Sequence, residues 1–360
     1  MKMKTSLALV TLLALATLFS LGGCSSSSSG GSVGTPVAST TEATASAENT
    51  KSPVDTGKLI IYTSMKESMI ADLVKDFSAK NPDVPIDYQS AGAGKLMAKI
   101  ATERESGQIM ADVIWTSEVP DFFSMKQEGI LMQYKPTGAE NVLNPLENTE
   151  DYFIPARLGT LGIAYNTTFV KEPPKEWSDL FGEQFKDAFA IANPSQSGTA
   201  YVSVAMLEEK FTDKIFKDLR SNGALVGQGS GQVVDDTASG ELYASLAVDY
   251  ITFDKVNSGA TIAMAYPPEM LVVPSPIGIF KDTKKPDAAK KFLDYIITED
   301  AQTIIASNGT LPVLASVKLP DKYNIPSAEE ALSRAIKVDY QKMMAEKESR
   351  VNAFLKIMQD

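Results

Sequence analysis

From residue 58 onward, short apolar runs rich in β-branched residues alternate with amphipathic stretches, and this alternation leaves few architectures open. Lys58 to Thr63 is predicted to be a buried strand. Lys66 to Asn81 carries Met69, Ile70, Leu73, Val74 and Phe77 at helical spacing. Ile86 to Gln89 and Asp112 to Thr116 are again strand-like, with helices predicted over Lys95 to Glu105 and Val119 to Gln127. Further strands are expected at Gly159 to Asn166, Phe189 to Ala192, Ala224 to Val226, Ser245 to Val248 and Ala260 to Ala265. Helices are expected at Gly198 to Lys210, Pro286 to Ile297 and Asp300 to Ser307, with one long helix from Asp339 to Met358. Leu271 to Phe280 contains Pro274 and Pro276, which points to an edge or crossover strand and away from a central one. Strands alternating with helices imply βαβ units and an α/β fold with a mostly parallel sheet. No internal repeat is visible, and an ordered segment of this length exceeds what one core usually holds, so two lobes are expected.

Composition removes whole classes of chemistry. The 360 residues contain no histidine and one cysteine. Ser-His-Asp and Cys-His catalysis, His-Cys zinc sites and intrachain disulfides therefore cannot be built. A net charge of −11 argues against nucleic acid as a partner, which needs basic surface. A mean hydropathy of −0.08 fits neither a polytopic membrane protein nor a disordered chain.

The N-terminus carries Lys2 and Lys4, then an apolar stretch from Leu7 to Leu21. That is a signal-peptide pattern, too short to span a bilayer comfortably, which takes roughly 20 apolar residues. Leu21-Gly22-Gly23-Cys24 resembles the bacterial lipobox. The resemblance implies cleavage after residue 23 and lipidation of Cys24, palmitate included, which would anchor the protein to a membrane of the cell envelope. Residues 25–57 are Ser-, Gly-, Thr- and Ala-rich without an aromatic, so residues 24–57 read as the lipidated Cys and a flexible linker. Such a tether has an r.m.s. reach of ~30 Å.

In α/β folds ligands bind beyond the carboxyl ends of the strands. The residues there form a consistent set: Thr63-Ser64, Ser90 to Gly94, Trp115-Thr116-Ser117, and Asn193 to Thr199. Hydroxyls and glycines at helix N-termini suit anions, because open N–H groups and the helix dipole both favour negative charge. Each signal also has a plainer explanation. A Ser or Thr before a helix is commonly an N-cap worth ~1 kcal/mol, Gly92 and Gly94 fit neither a dinucleotide fingerprint nor a P-loop, and Trp115 suits a core as well as a pocket wall. Four such sites at successive strand ends point together to a binding cleft.

Several motifs in order resemble the type II (family 1) extracellular solute-binding proteins of ABC importers. They are Leu59-Ile60-Ile61-Tyr62-Thr63-Ser64, Ala91-Gly92-Ala93-Gly94, Ala111 to Trp115, Gly162 to Asn166, Asn193-Pro194 with Ser197 to Tyr201, Tyr266-Pro267 with Glu269, Pro274 to Ile277, Ala288 to Leu293, and Gly309 to Val313. The similar branch holds binders of ferric iron, thiamine, polyamines, hexose phosphates and 2-aminoethylphosphonate. The resemblance implies two lobes joined by two β-strand crossovers near Arg157–Asn166 and Tyr266–Ile279. Lobe one would be 58–160 plus 270–360, and lobe two 161–269. It also implies a monomeric, non-enzymatic receptor facing the periplasm or exterior, without cofactor or metal, that hands a small solute to a membrane permease.

Phosphate- and phosphonate-binding members use strand-end hydroxyls and helix N-termini, which here would be Ser64, Ser90, Thr116, Ser197, Gly198 and Thr199, beside Gly92 and Trp115. Asp249 and Glu269 would take the organic end. Iron-binding members typically hold the metal with adjacent tyrosines; this chain has none adjacent, although Tyr201, Tyr250 and Tyr266 could approach the cleft. The expected solute is a phosphorylated or phosphonate small molecule, with ferric iron or a polyamine as alternatives. A hydrolase built on Ser197 lacks both the nucleophile-elbow glycines and a histidine base.

Overall fold

The computed structural model describes residues 57–359, so the signal-peptide, lipobox and Cys24 readings lie outside the described residues. Its strands are β1 (Leu59–Thr63), β2 (Ile86–Ser90), β3 (Val113–Trp115), β4 (Leu131–Met132), β5 (Ile154–Asn166), β6 (Phe189–Ala192), β7 (Leu225–Gly227), β8 (Ala244–Val248), β9 (Ile262–Ala265) and β10 (Leu271–Phe280). The helices are α1 (Glu67–Lys80), α2 (Ala93–Glu105), α3 (Val119–Gln127), α4 (Gly198–Phe211), α5 (Lys214–Ser221), α6 (Ser230–Ser239), α7 (Asp249–Asn257), α8 (Pro286–Ile296), α9 (Glu299–Ser307), α10 (Ala328–Arg334), α11 (Tyr340–Ala345) and α12 (Lys347–Gln359). None of the described helices is long and apolar enough to cross a membrane.

The strands join in the order β2-β1-β3-β10-β5-β8-β6-β7, with β4 on β10 and β9 on β5. β1 runs parallel to β2 and β3, and β6 runs parallel to β7 and β8. Between these two parallel groups lie β5 and β10, antiparallel to each other and to their outer neighbours. The expected parallel sheet is thus two parallel halves bridged by two long antiparallel strands, the two-lobed α/β arrangement with β-strand crossovers. β5 is buried along almost all of its 13 residues and β10 along all 10, as strands covered on both faces must be.

Two expectations need correction. β10 is a crossover strand, yet it sits mid-sheet, flanked by β3 and β5. A register shift between Ser275 and Pro276 accommodates the prolines, and the Pro276 carbonyl still accepts from Thr116 N at 3.2 Å. The long C-terminal helix is in fact two, α11 and α12, broken at Glu346. The break follows from packing: α11 lies on α3, whereas α12 lies on α4, α5 and β7.

Candidate functional site

A cleft with a volume of about 530 Å³ gathers the starts of four helices. The first is α2, whose N-cap is Gly92. The second is α4, capped by Ser197, whose Oγ accepts from Ala200 N at 3.3 Å. The third is α6, whose N-cap Gly229 has no side chain to offer. The fourth is α7, which contributes Tyr250 and Ile251. The opening N–H groups of α2 and α6 therefore meet no capping side chain and remain available to an anion.

Three hydroxyls form a triangle on the wall. Ser197 Oγ lies 2.7 Å from Ser230 Oγ and 3.0 Å from Thr199 Oγ1, and Thr199 Oγ1 lies 3.1 Å from Ser230 Oγ. No base touches Ser197; its Oγ partners are hydroxyls and one backbone N–H. Lys95 is the one charged side chain among the lining residues, beside the amides of Asn193, Gln196, Gln228 and Gln232. The two sides of the cleft meet by backbone. A β-carbon on Gly94 would stand 3.0 Å from the Ser195 carbonyl oxygen, and one on Gly92 would stand 3.2 Å from that of Gln196. Glycine at 92 and 94 permits that approach.

Of the residues singled out from sequence, Ser64, Gly92, Ser197, Gly198 and Thr199 line this cleft. The others lie elsewhere. Ser90 donates to the Met65 carbonyl at 2.6 Å and does not line it. Trp115 and Thr116 are fully buried, and Trp115 Nε1 and Thr116 Oγ1 meet no hydrogen-bond partner. Glu269 pairs with Lys210 at 3.5 Å and borders a separate pocket of about 200 Å³ containing Trp177 and Phe211.

Asp249 is fully buried beneath the cleft floor. It faces Arg157 at 3.5 Å and accepts from Thr160 N, Tyr250 N and the hydroxyls of Thr160 and Thr310. Burial pushes its carboxyl up, while Arg157 and these hydrogen bonds pull it down. Arg157 is itself fully buried, donating to Thr310 Oγ1 (2.7 Å) and Ser117 Oγ (3.1 Å), with the Tyr250 ring stacked over it at 4.6 Å.

Sequence reasoning missed Ser230, Gln228 and Gln232, although the signal was present. Gln228-Gly229-Ser230-Gly231-Gln232 follows a strand, the same strand-end pattern used elsewhere. Lys95, in the first turn of α2, was also missed. Of the three candidate tyrosines, Tyr250 alone lines the cleft, and its OH donates to the Ser64 carbonyl at 3.2 Å. Tyr201 donates to the Met343 carbonyl, and Tyr266 OH accepts from Thr160 Oγ1. Burial raises all three phenols, which opposes tyrosinate formation. Among the described residues no group of three His, Cys, Asp or Glu is placed to hold a metal.

Residues 62–303 match the bacterial extracellular solute-binding protein family. A putative 2-aminoethylphosphonate-binding periplasmic protein of Salmonella typhi is 23% identical over 260 residues, 69% of this chain and 75% of its own length. An uncharacterized protein of Haemophilus influenzae is 25% identical over 270 residues, 70% of this chain and 76% of its own. Among solved structures, the periplasmic binding protein AfuA from Actinobacillus pleuropneumoniae, with exogenous fructose-6-phosphate bound, superposes with a TM-score of 0.69 at 23% identity, covering 84% of this chain and 99% of that one. Iron-bound HitA from Pseudomonas aeruginosa gives a TM-score of 0.70 at 20% identity, over 82% of this chain and 99% of its own. With two parallel half-sheets joined by two crossover strands around a cleft of helix N-termini, and with the family matching most of its length, this chain belongs to the bacterial extracellular solute-binding proteins.

Proposed function

We propose that the protein captures a small phosphorylated or phosphonate solute between its lobes and hands it to an ABC permease. The observation that carries this reading is the Ser197–Thr199–Ser230 hydroxyl triangle beside the uncapped starts of α2 and α6, with Lys95 as the lining charge. Hydroxyls, open N–H groups and one ammonium are all donors to an oxyanion, and each hydrogen bond to a charged group is worth ~1.5–3 kcal/mol.

The rest of the lining favours a hydroxyl-rich organic part. Four amides suit sugar hydroxyls, whereas no carboxylate lines the cleft to meet the amine of an aminophosphonate or polyamine. Relatives and structural neighbours are described as binding two phosphorus-containing anions, 2-aminoethylphosphonate and fructose-6-phosphate, and also iron; of these, fructose-6-phosphate matches the amide-rich lining. A single lining tyrosine with a raised pKa is a poor iron ligand set. We assign lobe one to 58–160 plus 270–360 and lobe two to 161–269, with β5 and β10 as the hinge. Solute that bridges both lobes stabilises the closed form and so shifts the population toward it.

Calorimetry on the full-length protein with hexose phosphates, 2-aminoethylphosphonate, inorganic phosphate, spermidine and ferric citrate tests the reading. A hexose phosphate is expected to bind most tightly, and spermidine not at all. Spermidine binding, or a visible tyrosinate-to-iron band without any anion binding, would overturn it.

The same proposal places the protein on a membrane through Cys24, supported by the Leu21-Gly22-Gly23-Cys24 pattern and by Cys24 being the sole thiol. Cys24→Ala is expected to move the protein from the membrane fraction to the soluble one and to abolish palmitate labelling. A variant that still pellets with membranes, together with an unlabelled wild type, would remove the anchor from the proposal.

A further inference from the structure

Behind the cleft wall, the starts of three helices meet around one buried carboxylate. Glu118 is the residue before α3 and is 2% exposed. A β-carbon on Gly198, the first residue of α4, would stand 2.7 Å from Glu118 Oε2 and 3.2 Å from the β-carbon of Ala93, the first residue of α2. Gly198 and Ser117 line the cleft while Glu118 does not, so its carboxylate lies against the back of the wall. There it faces the positive end of α4, which also presents the hydroxyl triangle to the solute.

The charges around Glu118 do not balance. Asp121, one turn along α3, is also buried, and its Oδ2 has no hydrogen-bond partner. Lys347, at the start of α12, pairs with both carboxylates and lies 2.9 Å from Asp121 Oδ1. Tyr201 of α4 offers its ring to the same ammonium at 5.7 Å. Arg350, further along α12, is engaged by Glu208 and Glu346, and Lys95 of α2 points its charge to the cleft side. Two carboxylates thus share one ammonium. Burial first, and then repulsion from Asp121, push the Glu118 carboxyl up to about 7 against the pull of Lys347.

We propose that Glu118 is a specificity-determining residue of the cleft: ionised, it opposes an anionic group at the start of α4, and Lys347 on the C-terminal helix sets the pH at which it does so. The inference rests on the anion reading of the cleft. It gives the C-terminal helices a role in solute recognition, because α12 supplies the cation while packing on α4. It also accounts for glycine at 198, since any β-carbon there would collide with the Glu118 side chain.

Affinity for inorganic phosphate, measured by calorimetry on the full-length protein from about pH 5 to about pH 9, tests it. Phosphate titrates in this range too, so the readout is the ratio of the Glu118→Gln affinity to that of wild type. The ratio is expected near one at the acid end and at least about tenfold at the alkaline end, since a unit charge removed a few ångströms from the anion counts for more the less water lies between them. Lys347→Met, at a partly buried position, is expected to move the wild-type pH step to higher pH, because the carboxylate loses its counter-charge. A flat ratio overturns the proposal and leaves the anion site standing. If Glu118→Gln does not fold, an unmoved step in Lys347→Met overturns it alone. Absence of phosphate binding by wild type at every pH overturns both this proposal and the anion reading.

Discussion

Asp249→Ala is expected to cost ~3–5 kcal/mol of stability, the usual penalty for removing one partner of a buried ion pair. Asp249 and Arg157 are both fully buried, and the lost carboxylate would leave a guanidinium with no counter-ion. It would also strand the Thr160 and Tyr250 N–H groups and the Thr310 hydroxyl, which now donate to it. These groups come from β5, α7 and the segment after α9, so the site ties the crossover strand to elements well apart in sequence. Arg157 cannot escape to water. Tyr250 covers it on the cleft side, and Gly159 leaves it room on the strand, since a β-carbon there would stand 2.7 Å from the guanidinium. The urea midpoint should fall sharply with the slope unchanged. The double variant Arg157→Met with Asp249→Ala should recover much of the loss, because no lone charge remains. A single variant within ~0.5 kcal/mol of wild type, the range of an ordinary surface substitution, would show that the pair is not the lock the geometry describes.

The same pair shows where sequence stops being informative. Period and turn residues located the strand ends, and with them Ser64, Gly92, Ser197, Gly198 and Thr199, because an α/β fold sends every such loop to one edge. They did not say which way a side chain turns there. Asp249 follows a strand just as Ser197 follows a loop, yet its carboxylate points down to Arg157, 92 positions earlier in the chain. Trp115 and Thr116 stand at a strand end and still fall inside, because their strand lies between β1 and β10. Glu269 precedes a crossover strand, yet it borders a separate pocket and is held by Lys210. The start of α6 escaped notice because glycines at 229 and 231 look like a loop, and only the helix that follows gives them the uncapped N–H groups that the proposed anion site would use. Similarly, the break at Glu346 has no helix-breaking residue; tertiary packing onto α3 and α4 imposes it.

At the cleft, Ser197→Asp should abolish anion binding while leaving the fold intact, and this combination separates recognition from stability. Serine and aspartate are comparable N-caps, so α4 keeps its cap, whereas Ser197→Ala gives up ~1 kcal/mol of helix stability. For binding, the order reverses. Alanine removes one hydrogen bond to a charged group, ~1.5–3 kcal/mol, or roughly ten- to a hundredfold in affinity. Aspartate puts a carboxylate about 4 Å from the anion, a repulsion of ~4 kcal/mol at an effective dielectric of about 20. It would also draw the Thr199 and Ser230 hydroxyls, now 3.0 and 2.7 Å from Ser197 Oγ, to itself. Solute affinity is therefore expected to fall well beyond a hundredfold, on the order of a thousandfold, with the melting temperature of the solute-free protein little changed. Calorimetry and thermal melts on the same three proteins give both orders at once. Should the aspartate variant bind the phosphorylated solute as tightly as the alanine variant, the anion does not sit at the start of α4. The hydroxyl triangle would then be no more than a cap shared between α4 and α6.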